Sequence, residues 1–348
     1  MLQTSKPTPV SYRRLALLAV ALSTLILAGC NGGGGGGGGS SATSTTPTYS
    51  GVTTQATVAT NNAQPLTAST LQAGSAGTTV TATGVVSSGG TAGAGESRFI
   101  MLANPLKTAI GQIDVASAGG VSVMGAMMQP YSKMVSSPYG SGNMSLAFDY
   151  DSVTGNFNGT VTFSGYCERA GSCVNGVAGI SGQLNPNTQA LMSGQFTVTG
   201  LNVTENGDVY QFAGSIGMNV LSTTSTRITE SCVIADSTGT YKLDNLVFVV
   251  TDNMTYADAA INSGRFYHPA YGYVDVKTVM PLRYSVTNGV MADWPYQGSM
   301  ELDGAGNTKA LLTALSDSPN VMPQWQLQAD TNGDGAWDIT LSGNWANL

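Results

Sequence analysis

From Tyr210 to Val220 the chain places Tyr, Phe, Gly, Ile, Met and Val at every second position, and this period of two limits the fold more than any other feature. Successive strand residues point to opposite sides of a sheet, so such a run buries one side and leaves the other to water. The alternation recurs at Leu146, Phe148 and Tyr150, at Phe157, Val161 and Phe163, and at Phe196 and Val198 continuing through Leu201 and Val203. Turn residues punctuate it at Asp151 to Gly155, Asn185-Pro186-Asn187, Asn206-Gly207 and Asp236 to Gly239. Asn206-Gly207 predicts a tight hairpin, because both residue types tolerate positive φ. Tyr241 and Leu243 fall out of phase with Leu246, Phe248 and Val250, which predicts a bulge near Asp244-Asn245. Gly264 to His268 and Tyr273 to Val279 read as a further hairpin turning at Pro269 to Gly272. Lys309 to Leu315 fits a helical turn and a strand equally well.

Roughly ten to fourteen strands fit this pattern, with no crossover helix between them. Short connections require antiparallel neighbours. The expected fold class is therefore all-β, an antiparallel meander whose apolar face closes into a barrel or packs as a sandwich. It is expected over residues 79–348, with conflicting signals in 79–140, where Val85-Val86 is followed by Gly89, Gly90, Gly93 and Gly95. Met124, Met127 and Met128 in that stretch read as adaptable core packing, or as a soft metal or apolar-ligand site. Upstream, residues 30–78 hold Gly, Ser, Thr, Ala, Gln and Asn with few large apolar groups. Such a segment buries too little surface to offset its ordering entropy and is expected to be a disordered tether, with room for a short helix around Gln64 to Leu71.

Lys6, Arg13 and Arg14 precede an apolar run from Leu15 to Leu27 that is shorter than the ~20 residues needed to span a bilayer. That is the pattern of a cleaved export signal over residues 1–29. Leu27-Ala28-Gly29-Cys30 resembles the lipobox of bacterial lipoproteins, in which the cysteine is acylated and becomes the first mature residue. The resemblance covers residues 1–31 and implies lipidation at Cys30 with two or three acyl chains, palmitate among them, enough for lasting membrane attachment. Asn31, where an aspartate commonly retains such proteins at the inner membrane, implies the outer membrane.

Cleavage before Cys30 removes three bases and no acid, leaving ten basic and twenty acidic residues. That balance repels phosphate backbones, so no nucleic-acid partner is expected. Charged residues are 9% of the chain, against about 25% in ordinary soluble domains, so the polar surface comes from Ser, Thr, Asn, Gln and backbone. A single histidine rules out a zinc site built on several. Neither a nucleophile-elbow serine nor a phosphate-cradling glycine fingerprint is present. Acids are plentiful but no pair is singled out. The expectation is a non-catalytic binding or structural module at the cell envelope with a protein or glycan partner; the alternative is a polysaccharide hydrolase using paired carboxylates.

Three clusters carry chemistry. Asp330-Thr331-Asn332-Gly333-Asp334-Gly335-Ala336-Trp337-Asp338 resembles the calcium loop of EF-hands and dockerins. The resemblance implies Asp330, Asn332 and Asp334 as side-chain ligands, Ala336 through its carbonyl and Asp338 directly or through water, for a weak structural Ca²⁺. The twelfth position is Leu341 rather than a bidentate glutamate, and a hairpin loop of Asx-turns is the other reading. Cys167 and Cys173 are expected to form a disulfide in an oxidising envelope, which leaves Cys232 buried; pairing of Cys232 with one of them is the alternative. Phe266, Tyr267, His268, Tyr271 and Tyr273 read either as a stacking platform for a partner or as cross-strand pairs that hold a hairpin, with His268 a turn residue rather than a general base.

Overall fold

The structure is a computed structural model that describes residues 46–79, 108–109, 112, 129–188, 190–205, 207–287, 290–292, 294–316 and 324–348. Cys30 and the rest of the lipobox, Asn206, and the methionines at 124, 127 and 128 lie outside the described residues.

The strands are β1 (Gln129–Ser136), β2 (Asn143–Tyr150), β3 (Asn156–Arg169), β4 (Ser172–Leu184), β5 (Leu191–Glu205), β6 (Asp208–Val220), β7 (Ser225–Asp236) and β8 (Gly239–Asp252). They continue with β9 (Tyr256–His268), β10 (Gly272–Thr287), β11 (Val290–Met291), β12 (Gln297–Asp303), β13 (Lys309–Leu315), β14 (Gln324–Asp330) and β15 (Ile339–Asn344). Each pairs antiparallel with the next in one meander, except that the two-residue β11 folds back on β10 and β12 takes its place in the ladder. Lys309 to Leu315 resolves as strand, and Glu205 pairs with Asp208 around the predicted tight turn, where Gly207 has φ 98°.

Alternation along the strands fills one core. Phe196, Val198, Leu201 and Val203 of β5 are buried, while Gln195, Thr197 and Thr199 face water. Inner residues of β2 to β10 and of β12 to β14 belong to a single apolar cluster, so the sheet coils round its own inner side. One continuous sheet thus takes the place of a barrel or sandwich, and its ladder stays open: β1 and β15 each pair with one strand. The polar outer side is the reverse of a membrane barrel, which turns its apolar residues to lipid. Among the described residues no helix is long and apolar enough to cross a membrane.

The coiling has a visible cause. Register shifts interrupt β3–β4, β4–β5, β5–β6, β7–β8, β8–β9, β9–β10 and β10–β12, at a similar height in successive strands. Extra residues in a strand bend it and increase its twist. The bulge predicted at Asp244-Asn245 is one of them, with Asn245 at φ 51°. On β6, Gly214 sits at φ 133°, and a Cβ there would collide with the Ser231 carbonyl and the Cys232 backbone. No other residue type fits that bend.

Within the stretch expected as tether, residues 46–72 lie against the strands. Tyr49 donates its hydroxyl to the His268 carbonyl, and Ala56 N–H and Tyr273 N–H bond to Tyr273 O and Thr54 O, so this segment adds to β10 in parallel at Gln55. Ala305 N–H then bonds to Ala56 O, and Val58, fully buried, donates its N–H to the Thr308 hydroxyl. Helix α1 (Ala63–Thr79) follows, with Pro65 in its first turn, where no donor is needed. Ala63, Leu66, Thr67, Thr70 and Leu71 are buried, the i, i+3, i+4, i+7, i+8 face of a helix. Thr67 and Thr70 donate their hydroxyls to the carbonyls of Ala63 and Leu66, each at 2.7 Å, so both enter the core with no polar atom unpaired. The helix touches β8, β9 and β13, so the curved sheet grips it from more than one side.

Candidate functional site

The antiparallel meander gathers alternate turns at two ends. The β3–β4, β7–β8, β9–β10, β12–β13 and β14–β15 turns form the near end, and the β2–β3, β6–β7 and β8–β9 turns the far end. All three sequence-derived clusters fall at the near end, and so does the entry of the amino-terminal segment at Tyr49.

The Asp330 to Asp338 loop joins β14 to β15. Asp330 is buried, and its two oxygens accept the N–H groups of Gly333 at 2.7 Å and Gly335 at 2.8 Å. Asn332 and Asp334 accept the N–H two residues on, from Asp334 and Ala336. Asp338 accepts the N–H and hydroxyl of Thr331, both at 2.8 Å, and these bonds hold its carboxyl below the usual range. The loop is therefore a chain of Asx-turns whose oxygens are engaged from within. Among the described residues no group of three or more His, Cys, Asp or Glu side chains is placed to hold a metal ion.

The five aromatic candidates separate onto two sides of the sheet. Phe266 is fully buried in the core and serves no platform. Tyr267 and Tyr273 face each other across β9–β10 with ring centres 5.1 Å apart. Tyr49 covers Tyr267 edge-on at 5.5 Å, Lys242 lies 4.7 Å from the Tyr267 ring, and Arg265 lies 4.7 Å from the Tyr273 ring. His268 and Tyr271 stack at 4.5 Å in the turn, where His268 Nδ1 accepts the Ala270 N–H. These contacts are the cross-strand pairing of the hairpin reading. Trp294 pairs elsewhere, stacked on Trp345 at 5.6 Å.

Cys167 and Cys173 form the disulfide, as directly opposed residues of β3 and β4, and Cys232 is a buried free thiol. Cys167 also ties down the β1–β2 turn. Its carbonyl accepts the Ser137 hydroxyl at 2.7 Å and the Tyr139 N–H at 3.3 Å.

Several acids of the outer side are matched with bases across strands. Lys277 lies 2.9 Å from both Glu301 and Asp303, Lys309 reaches the same two acids at 3.4 Å, and Arg265 meets Asp275 at 2.9 Å. Arg283 grips Asp258 with two bonds of 2.7 and 2.8 Å. Burial pushes the Asp303 carboxyl up, but the hydrogen bond and charge of Lys277, with Lys309, bring it below its ordinary value. A glycosidase acid needs the opposite shift.

Sequence reasoning missed Glu230. It lies on the inner side of β7 with Thr226, Ile228, Cys232 and Ile234, all buried. The signal was present, because the same alternation that buries Ile228 and Ile234 carries Glu230 inward with them.

Comparison of the chain with protein-family models, with curated proteins and with solved structures finds no match.

Proposed function

We propose that the protein is a lipid-anchored outer-membrane lipoprotein whose β domain is a non-catalytic binding module. The observation that carries this reading is Leu27-Ala28-Gly29-Cys30 behind a short apolar run with a basic start. The charge pattern of the fold supports it. Glu301, Asp303 and Asp258 of the outer side lie against lysines or an arginine, and Asp330 and Asp151 of the turn loops accept N–H groups, which suits solubility and structure rather than acid-base work. The amino-terminal segment joins the β domain at the near end, where Tyr49 meets the β9–β10 turn.

Val153, Leu221 and Met254 stand exposed on far-end turns, Met254 at 89%. Aliphatic tips suit a protein partner better than a sugar, which stacks on open aromatic rings, and Tyr267 has its ring covered by Tyr49. Replacing Cys30 with serine is expected to move the protein from the membrane to the soluble fraction; retention in the membrane pellet would end the lipoprotein reading. Surface proteolysis of intact cells then tells which side of the outer membrane the domain meets. Weak structural calcium in the Asp330 to Asp338 loop is part of the proposal. It requires a rise in melting temperature at millimolar Ca²⁺.

A further inference from the structure

Glu230 plays no part in that reading, and its setting is hard to reconcile with a charge. It is 2% exposed, and its Oε2 has no hydrogen-bond partner. Ile216 of β6 and Leu246 of β8 oppose it across the two ladders, with Met218 and Leu243 beside them. Cys232, two residues along, is the titratable group on the same side of its own strand; the directly facing positions of β6 and β8 bring none, and Tyr241, on the inner side of β8, lies further along opposite Ile234. Helix α1, packed on β8 and β9, contains no ionisable side chain. Thr226 Oγ1, on the same side of β7, is also unpartnered.

A carboxylate without a counter-charge does not persist among such neighbours; it keeps its proton, or water reaches it. Burial pushes the Glu230 carboxyl up to about 8, and burial followed by the nearness of Glu230 raises the Cys232 thiol. A break in the ladder adjoins Glu230. The β7–β8 register breaks between Glu230 and Cys232, where Asp244 and Asn245 of β8 together oppose Ser231, whose hydroxyl accepts the Asn245 N–H at 3.0 Å. Asn245 is itself exposed and held at φ 51°. The least regular point of this ladder thus adjoins the least tolerable charge.

We infer that Glu230 is a proton-operated latch: the carboxyl keeps its proton while β7 and β8 are zipped, and surrendering it to solvent requires the ladder to part at the neighbouring bulge. The sign follows from the two states. Opened to water, the carboxyl titrates near its ordinary 4.5, and closed it titrates near 8. The closed form is therefore fully favoured below about pH 4.5 and loses ground as pH rises to about 8, by about tenfold in the opening equilibrium per pH unit.

Amide hydrogen exchange on the full domain, corrected for the intrinsic pH dependence of exchange, tests this. In the wild type, protection of β7 and β8 amides should fall about tenfold per pH unit between pH 5 and 8, and in Glu230→Gln it should stay flat. Parallel profiles in the two proteins would overturn the inference. A second measurement needs no variant. The side-chain carbonyl of Glu230, followed by carbon NMR in the wild type, should titrate near pH 8, and titration near pH 4.5 would overturn it equally.

Discussion

Gly214 shows how much one position can decide. Its φ of 133° suits glycine alone, and a methyl group there meets the backbone of Ser231 and Cys232. Gly217, three residues on in β6, has ordinary space around it, with Thr229 O at 3.8 Å its nearest neighbour. Gly214→Ala is therefore expected to cost at least about 1–3 kcal/mol in chemical denaturation, while Gly217→Ala stays near neutral. A similar cost for both would remove the bend from the account. The Cys167–Cys173 bridge closes a short loop, so replacing both residues with alanine should cost about 2 kcal/mol and loosen the β1–β2 turn that Cys167 holds. The ion pairs of the outer side promise less. Lys277 and Arg265 are about half exposed, and 1 M salt should change stability by no more than about 1 kcal/mol.

Helix α1 was the element hardest to read in advance. Its face presents Thr at two of five buried positions, so a count of apolar residues leaves the segment looking like tether. The physics that rescues it is local. A threonine whose hydroxyl bonds to the carbonyl four residues back packs much as valine does. Thr67→Val should accordingly fold with a melting temperature within a few degrees of wild type. Leu66→Ala, which empties a fully buried site, should lose about 2–5 kcal/mol. The strands were legible because period two and turn chemistry agree along them. The parity slip between Leu243 and Leu246 even placed a bulge, which the register break at Asn245 matches. Of the candidate sites, the Cys167–Cys173 pair was legible from its spacing. The aromatic cluster was not resolved, because which ring faces out depends on a bulge at Asn262 to Gly264 that shifts Phe266 inward and Tyr267 outward.

Over the whole molecule, the same few devices recur. Bulges at one height bend successive strands, the coiled sheet shares one core, and the amino-terminal segment stitches the β9–β10 turn to the β12–β13 turn before α1 is gripped. Sequence patterns state which residues face inward, but they are silent on whether a sheet joins its own first strand. That depends on strand number, stagger and tilt acting together. An alternating pattern therefore reads the same in a closed barrel and in this open coil.

The grip on α1 also sets an order of events for a chain made from its amino terminus. The helix emerges before every described strand, yet its seat is incomplete until β13 has been made, some two hundred and thirty residues later. It must wait uncovered through most of synthesis. A leucine-rich plug would invite premature association over that interval. Alanine, threonine and serine, with only Leu66 and Leu71 as large anchors, keep the waiting segment inoffensive to its surroundings. Modest greasiness in the plug is, on this account, what lets the rest of the molecule arrive.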